Sequence, residues 1–393
     1  MTRWTRSRGE FGRLLRRPGY RGFAATVAFS RVSSTMFTTG GVLLVLQRTG
    51  STAVAGATAA AAVLPAAVTG PLLGAWIDVA HSRRVLIVID QLASVVALAA
   101  ILALAGHAPD WTVPVAAVLY SLTRPFSQGS FFSALADIAG PDLIDEASKV
   151  ESVNLNLSFV IGPALAGTLA GAAGPATAVE VQAGATVVVA ALIAVNPVFE
   201  ARPAERAVSA RQAVAEGLRA LARERVLRAA GVASTLATFG WGLMNIGFPL
   251  YAVRVLHAGA HASGYMWAAV AAGSITGTFV LAGQPSLRRI GLSYLALGVS
   301  ALAWPLAHAL VLGVALIAVT GFLEGPAYSG TIALRQRHAP PAVRAQVMTT
   351  LGAANLVAVS AGAAIAGAVD AAVPVILVFF AVNVAAAVAA WRG

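Results

Sequence analysis

The chain has 393 residues, of which 58% are hydrophobic and only 11% charged, with a mean hydropathy of +0.78. Soluble domains carry about 25% charged residues, so a water-solvated globule is excluded and lipid is the expected solvent. The net charge of +11 is placed for membrane topology, with neither stacking aromatics nor a recognition-helix pattern, so no nucleic-acid partner is expected. Cysteine is absent, which excludes disulfides, thiol catalysis and Cys-based metal sites.

Seven of the 27 Lys+Arg fall in residues 1–21, which read as a basic cytoplasmic arm ahead of a retained first span. Span 1 (about 22–46) is apolar but carries Arg31, Ser34, Thr35 and Thr38 on one face. Span 2 (about 52–77) ends in the turn Gly74-Ala-Trp-Ile-Asp78-Val-Ala-His-Ser-Arg83-Arg84, and span 3 (about 85–106) contains Asp90. The next turn, around Gly106 to Asp110, has no Lys or Arg and reads as an outer loop. Span 4 (about 111–136) holds Arg124-Pro125 and Gln128-Gly129. An acidic connection (Asp137, Asp142, Asp145, Glu146, Glu151) leads to span 5 (about 153–171), with Gly162-Pro163 and Gly167, and span 6 runs to about Val195, with Glu180 near its solvated outer end.

Residues 196–228 form the longest polar segment and hold an amphipathic stretch, Val214, Leu218 and Leu221 against Arg211, Glu216, Arg219 and Arg223. It is expected to lie along the cytoplasmic surface. Six further spans follow at about 229–252, 263–284, 290–305, 309–334, 344–369 and 372–391. Of the Lys and Arg, 23 lie in the proposed cytoplasmic segments and two, Arg48 and Arg254, in outer loops. That asymmetry predicts twelve spans with both termini inside.

The halves repeat at a spacing near 200. Gly162-Pro-Ala-Leu-Ala-Gly167 returns as Gly362-Ala-Ala-Ile-Ala-Gly367, Arg124-Pro125 echoes Glu324-Gly-Pro326, and Asn154 matches Asn355 within one residue. The paired arginines 83–84 and 288–289 follow with a small shift. Two six-span halves, 1–195 and 229–393, joined by the linker 196–228, are predicted.

On these residues the chain resembles the major facilitator superfamily, in particular its twelve-span drug/proton antiporters. Gly74, Asp78, Arg83 and Arg84 match the G-x-x-x-D-R-x-G-R-R loop between helices 2 and 3, with Val79 for the first arginine and Ser82 for the glycine. Gly162, Pro163 and Gly167 match the antiporter glycine-proline motif, with Ser158 at its preceding glycine. The resemblance implies an all-α membrane fold of two pseudo-symmetric six-helix bundles around a cavity lined by helices 1, 4, 7 and 10. It also implies that Asp78 latches the inner side, with Arg83, Arg84, Asp137 and Arg344 as possible partners. Arg83 and Arg84 setting topology alone is the alternative, as generic helix packing is for the glycine motif.

Ionisable groups inside spans are costly and mark pathways. Arg31, Arg124 and Glu324 fall on three cavity helices, each roughly 10–15 Å from its cytoplasmic end at 1.5 Å per residue, and so share one layer. Ser234, Thr238, Trp241 and Asn245 make a polar stripe on the fourth. Burial disfavours a charged carboxyl and a nearby arginine favours it. Glu324 is therefore the expected proton-responsive group, with Arg124 facing it as electrostatic regulator. Asp90 is either a structural partner or a second proton carrier. The histidines lie in loops or at span ends, so no histidine relay is expected.

The function expected is proton-coupled export of a small organic or amphipathic compound by a monomer in a bacterial plasma membrane. Proton-coupled uptake, uniport, and a non-transporting receptor or scaffold are the alternatives. No Walker A, HExxH or GxSxG sequence appears, so neither a nucleotide engine, a cofactor, a metal nor an enzyme is predicted.

Overall fold

A computed structural model describes residues 12–79, 82–140, 142–200, 219, 221–281, 283–339 and 344–393. Among them every regular element is helical: α1 Tyr20–Thr35, α2 Phe37–Thr49, α3 Thr52–Ala61, α4 Leu64–Val79, α5 Arg83–Leu104, α6 Thr112–Leu122, α7 Arg124–Ala139, α8 Ile144–Ala173, α9 Pro175–Val195, α10 Arg225–Arg254, α11 Ser263–Val280, α12 Leu287–Ala301, α13 Leu310–His338, α14 Arg344–Val369 and α15 Ala372–Trp391, with three short 3-10 turns. A helix or helix pair stands at each of the twelve expected positions. Nine helical stretches among the described residues are long and apolar enough to cross a bilayer unaided. Val311 is 82% exposed and Phe279 77%; such side chains on long apolar helices need lipid around them.

The helix ends follow from local chemistry. Ser51, Ser82 and Ser286 cap α3, α5 and α12, their Oγ atoms accepting from the Val54, Val85 and Arg289 backbone N–H groups. Each satisfies a donor that the first turn leaves unpaired. Ser82 directly precedes its arginine pair and Ser286 precedes the other pair by one further residue; both cap their helix, so the serine that replaces the motif glycine has a structural task. Spans 2 and 4 are each broken, after Ala61 and at Thr123, and the helices resume with proline as their second residue, Pro65 and Pro125. Proline disfavours helix in the preceding residue but fits the first turn. Span 1 breaks at Met36 without proline. There the Thr35 hydroxyl is shared among the Arg31, Val32 and Ser158 carbonyls, and such back-bonding bends helices.

Helices alternate between a basic end, carrying Arg17, Arg83, Arg84, Arg288, Arg289 and Arg337, and an opposite end with Gly50, Gly106, Gly174 and Asp370. The largest apolar cluster lies toward the opposite end and joins both halves through Val42, Leu44, Phe248, Trp304 and Phe379. A smaller cluster of Phe23, Ile87, Phe131 and Phe199 packs the basic end of the first half. One boundary differs from expectation. The acidic connection after Asp142 is helix from Ile144 onward, which brings Glu151 inside the bundle. Gly74 and Asp78 belong to α4 by backbone, but their side chains, that of Arg344 and residues 201–218 of the linker lie outside the described set.

Candidate functional site

The first half holds a polar cavity of about 40 Å³, room for a few waters at roughly 10–15 Å³ each. Ser30, Arg31, Asp90, Gln91, Arg124 and Ser127 are among its lining residues, so three of the expected site residues meet here. The helical spacing that predicted the polar stripe of α1 is what turns Ser30, Arg31 and Ser34 to one side. Arg31 donates to Glu151 of α8 in a buried ion pair. Burying two charges is tolerable because each neutralises the other, and removing one partner costs about 3–5 kcal/mol.

Asp90 is 3% exposed and takes three donors: Thr123 Oγ1 at 2.8 Å, Gln91 Nε2 at 3.2 Å and the Ser127 hydroxyl. Arg124 lies over the Tyr120 ring, 5.1 Å from its centroid, and acts electrostatically on Asp90. Tyr120 in turn accepts from Gln182 Nε2 at 2.9 Å and donates to the Ser34 carbonyl at 3.2 Å. A carboxylate and a guanidinium are thus held within one network without a direct ion pair.

Glu324 sits apart from this network. It is half-buried on α13 beside Ser274 of α11 and Trp241 of α10, and no ion pair joins it to any described residue. Among the described residues no ion pair joins it to Arg124. Trp241 Nε1 is buried beside the Glu324 carboxyl. Its ring lies 6.0 Å from Trp267 and 5.1 Å from Phe379, the start of an aromatic wall that continues to Phe248 and Trp304. Thr238 and Asn245 share the α10 face with Trp241, half-buried; Thr238 Oγ1 donates to the Ser234 carbonyl at 2.7 Å, as Thr38 does to that of Thr35.

The glycine motif lies where the halves touch. A Cβ on Gly162 would collide with Val32 and Thr35 of α1, and one on Gly264 of α11 would lie 2.5 Å from the Pro163 carbonyl oxygen. Gly167 faces Gly264 and the His261 carbonyl. The repeat reproduces this arrangement. Gly362 meets Phe239 and Leu243 of α10, while Gly367 meets Gly56 of α3, whose Cβ would lie 2.6 Å from the Ala363 carbonyl oxygen. Two pseudo-equivalent crossings, α8 on α11 and α14 on α3, therefore close the opposite end.

At the basic end Arg83 pairs with Asp137 at 2.5 Å and Arg84 with Glu200 at 2.8 Å. Sequence reasoning missed five functional candidates. Glu151 was hidden in what looked like an acidic loop; Gln91, Tyr120 and Ser127 were neutral and gave no contrast. Arg335, assigned to a turn, is 6% exposed within α13 and donates to Ser234. The signal available for Glu151 was Arg31, since an arginine within a span requires a counter-charge.

Comparison with known proteins places this architecture. The Major Facilitator Superfamily model matches residues 23–363, and the chain belongs to that family. An MFS-type transporter, y4rN, of Sinorhizobium fredii is 29% identical over 90% of this chain and 88% of its own length. The multidrug efflux pump Tap of Mycobacterium tuberculosis is 29% identical over 72% of this chain and 70% of its own. Among solved structures, the nucleoside transporter NupG superposes with a TM-score of 0.73 at 14% identity, covering 93% of this chain and 99% of that one. The human organic anion transporter MFSD10 reaches 0.63 at 16%, covering 95% and 99%. The protein is a multi-pass membrane transporter, not an enzyme.

Proposed function

We propose that the protein exports a small organic or amphipathic compound in exchange for protons, by alternating access between residues 1–195 and 229–393. The basic end is then cytoplasmic, and the linker 196–228 lies outside the lipid. The observation that carries this reading is Glu324: a carboxyl within a membrane helix, with no basic partner among the described residues, beside an aromatic wall. An ionisable group held there at cost is suited to bind and release a proton or a cationic group. Asp90 and Arg124, held without a direct ion pair, form a second couple that a proton or substrate could rearrange. The efflux activity named for the Tap relatives favours the outward direction.

The two glycine crossings support alternating access. They bring backbone against backbone at the opposite end, beside the apolar cluster that joins the halves, and the crossings themselves contain no charged group to desolvate on each cycle. The Asp78 loop is assigned the corresponding latch at the basic end. Glu324→Gln tests the proton role, since the amide mimics the neutral acid. It abolishes pH-driven accumulation while sparing substrate exchange. Accumulation against a gradient by this variant refutes the assignment and moves the carrier role to Asp90.

A further inference from the structure

The two halves share a backbone plan but not a charge plan at the basic end. In the first half Arg17 pairs with Asp142 at 2.9 Å, Arg83 with Asp137 and Arg84 with Glu200. In the second half the acids are gone. Residues 229–393 contain only two carboxylates, Glu324 within α13 and Asp370 at the opposite end, where Asp370 pairs with Arg254 at 3.0 Å. The 200-residue repeat sets Arg337 where the first half has Asp137, so a salt bridge is replaced by like charges.

Two of these arginines reach the same turn, at Leu281 and Gln284. The Arg289 guanidinium lies against Gly283 and donates to the Leu281 carbonyl. Arg337 Nη1 reaches the side-chain oxygen of the next residue, Gln284, at 3.5 Å. Two guanidinium groups thus converge on one turn, and among the described residues no carboxylate joins them. Glu224, at the start of α10, is 3.8 Å from His338 instead. Beside Arg289 opens a cleft of about 200 Å³, whose lining includes Ser286 and Arg289 together with Leu281, Ile290 and Pro326. It combines one guanidinium with apolar side chains.

We propose that this cleft, lined by Arg289 and flanked by Arg337 through its contact with Gln284, binds the phosphate headgroup of an anionic phospholipid. A lipid fits better than a free anion for two reasons. The apolar lining residues Leu281, Ile290 and Pro326 suit a glycerol and acyl segment, which inorganic phosphate lacks. Trp391, 45% exposed, also donates from Nε1 to the Arg288 carbonyl at 3.2 Å, and tryptophan at a span end marks headgroup depth. Basic side chains attract anionic lipid at roughly 1 kcal/mol each, about a fivefold preference.

The test uses the full chain in nanodiscs of mixed phosphatidylglycerol and phosphatidylcholine, with retained lipid read by native mass spectrometry. The wild-type protein keeps phosphatidylglycerol in preference, and Arg289→Gln or Arg337→Gln each lowers that preference about fivefold. Arg337→Asp, which rebuilds the ion pair of the first half, removes the preference with no fall in melting temperature, so the test stands even if Arg289→Gln folds poorly. Arg17→Gln, at a paired arginine of the other half, leaves it unchanged. Undiminished phosphatidylglycerol retention in Arg337→Asp overturns the proposal. So does an equal loss in Arg17→Gln, which would mean bulk charge alone. Displacement of the lipid by inorganic phosphate at equal concentration would make the site one for free anions and also overturns it.

Discussion

Adding one methyl group at a helix crossing perturbs the closed state directly. A Cβ at Gly56 would lie 2.6 Å from the Ala363 carbonyl oxygen, and one at Gly264 would lie 2.5 Å from that of Pro163, whereas ordinary contact begins at 3.4 Å. Both obstacles are backbone, so α3 and α14, or α8 and α11, must separate by about 0.8–0.9 Å to admit the methyl group. Overpacking of this kind costs about 1–3 kcal/mol. The strain is borne only when the crossing is closed, so the open:closed ratio rises roughly 5- to 150-fold at 1.4 kcal/mol per decade. Spin labels on cysteines introduced at Gln47 and Val373 report the separation of the halves, and the absence of native cysteine keeps labelling specific. Gly56→Ala and Gly264→Ala enlarge the long-distance population. Gly184→Ala, where a Cβ meets nothing within 4 Å, does not. An unchanged distance distribution in both crossing variants refutes the reasoning that these glycines set the closed state.

Glu151→Gln removes one counter-charge of buried Arg31 and is expected to destabilise the fold by up to about 3–5 kcal/mol, read as a lowered melting temperature in detergent. An unchanged melting temperature would show the pair to be dispensable. Asp78→Asn slows transport while the protein stays folded and inserted, if Asp78 is the latch of the basic end; wild-type turnover contradicts that role. Asp90→Asn keeps its three donors near an uncharged acceptor group and weakens the hold on Arg124, so the pH dependence of transport shifts while melting stays near wild type. An unaltered pH profile would leave Asp90 a structural residue.

Much of the fold could be read directly, because a bilayer demands long apolar runs and the arginines mark their ends. Proline positions then decided details: Pro65 and Pro125 fall at helix restarts, whereas Pro163, Pro249 and Pro326 are carried inside continuous helices. Arg31, Asp90 and Arg124 were legible because a charge within an apolar run stands out, and all three line one cavity. The pairing was not legible. Sequence spacing fixes depth along a helix, but the rotation of each helix decides which charge meets which, and that rotation is set by packing. So Arg31 found Glu151 across 120 positions, while Arg124 lies over Tyr120 and forms no direct ion pair with Asp90. The repeat was most informative where side chains were smallest, since Gly162, Gly167, Gly362 and Gly367 report backbone contacts that duplication preserves.

The most direct test of proton-coupled export uses inverted membrane vesicles, in which the cytoplasmic face is turned outward, and a panel of amphipathic dyes and antibiotics that includes ethidium. With the lumen made acidic, at least one member accumulates inside vesicles containing the wild-type protein. A protonophore collapses the accumulation, and vesicles with Glu324→Gln do not support it. Movement of no panel member under any imposed gradient, or accumulation only when the lumen is alkaline, contradicts the account.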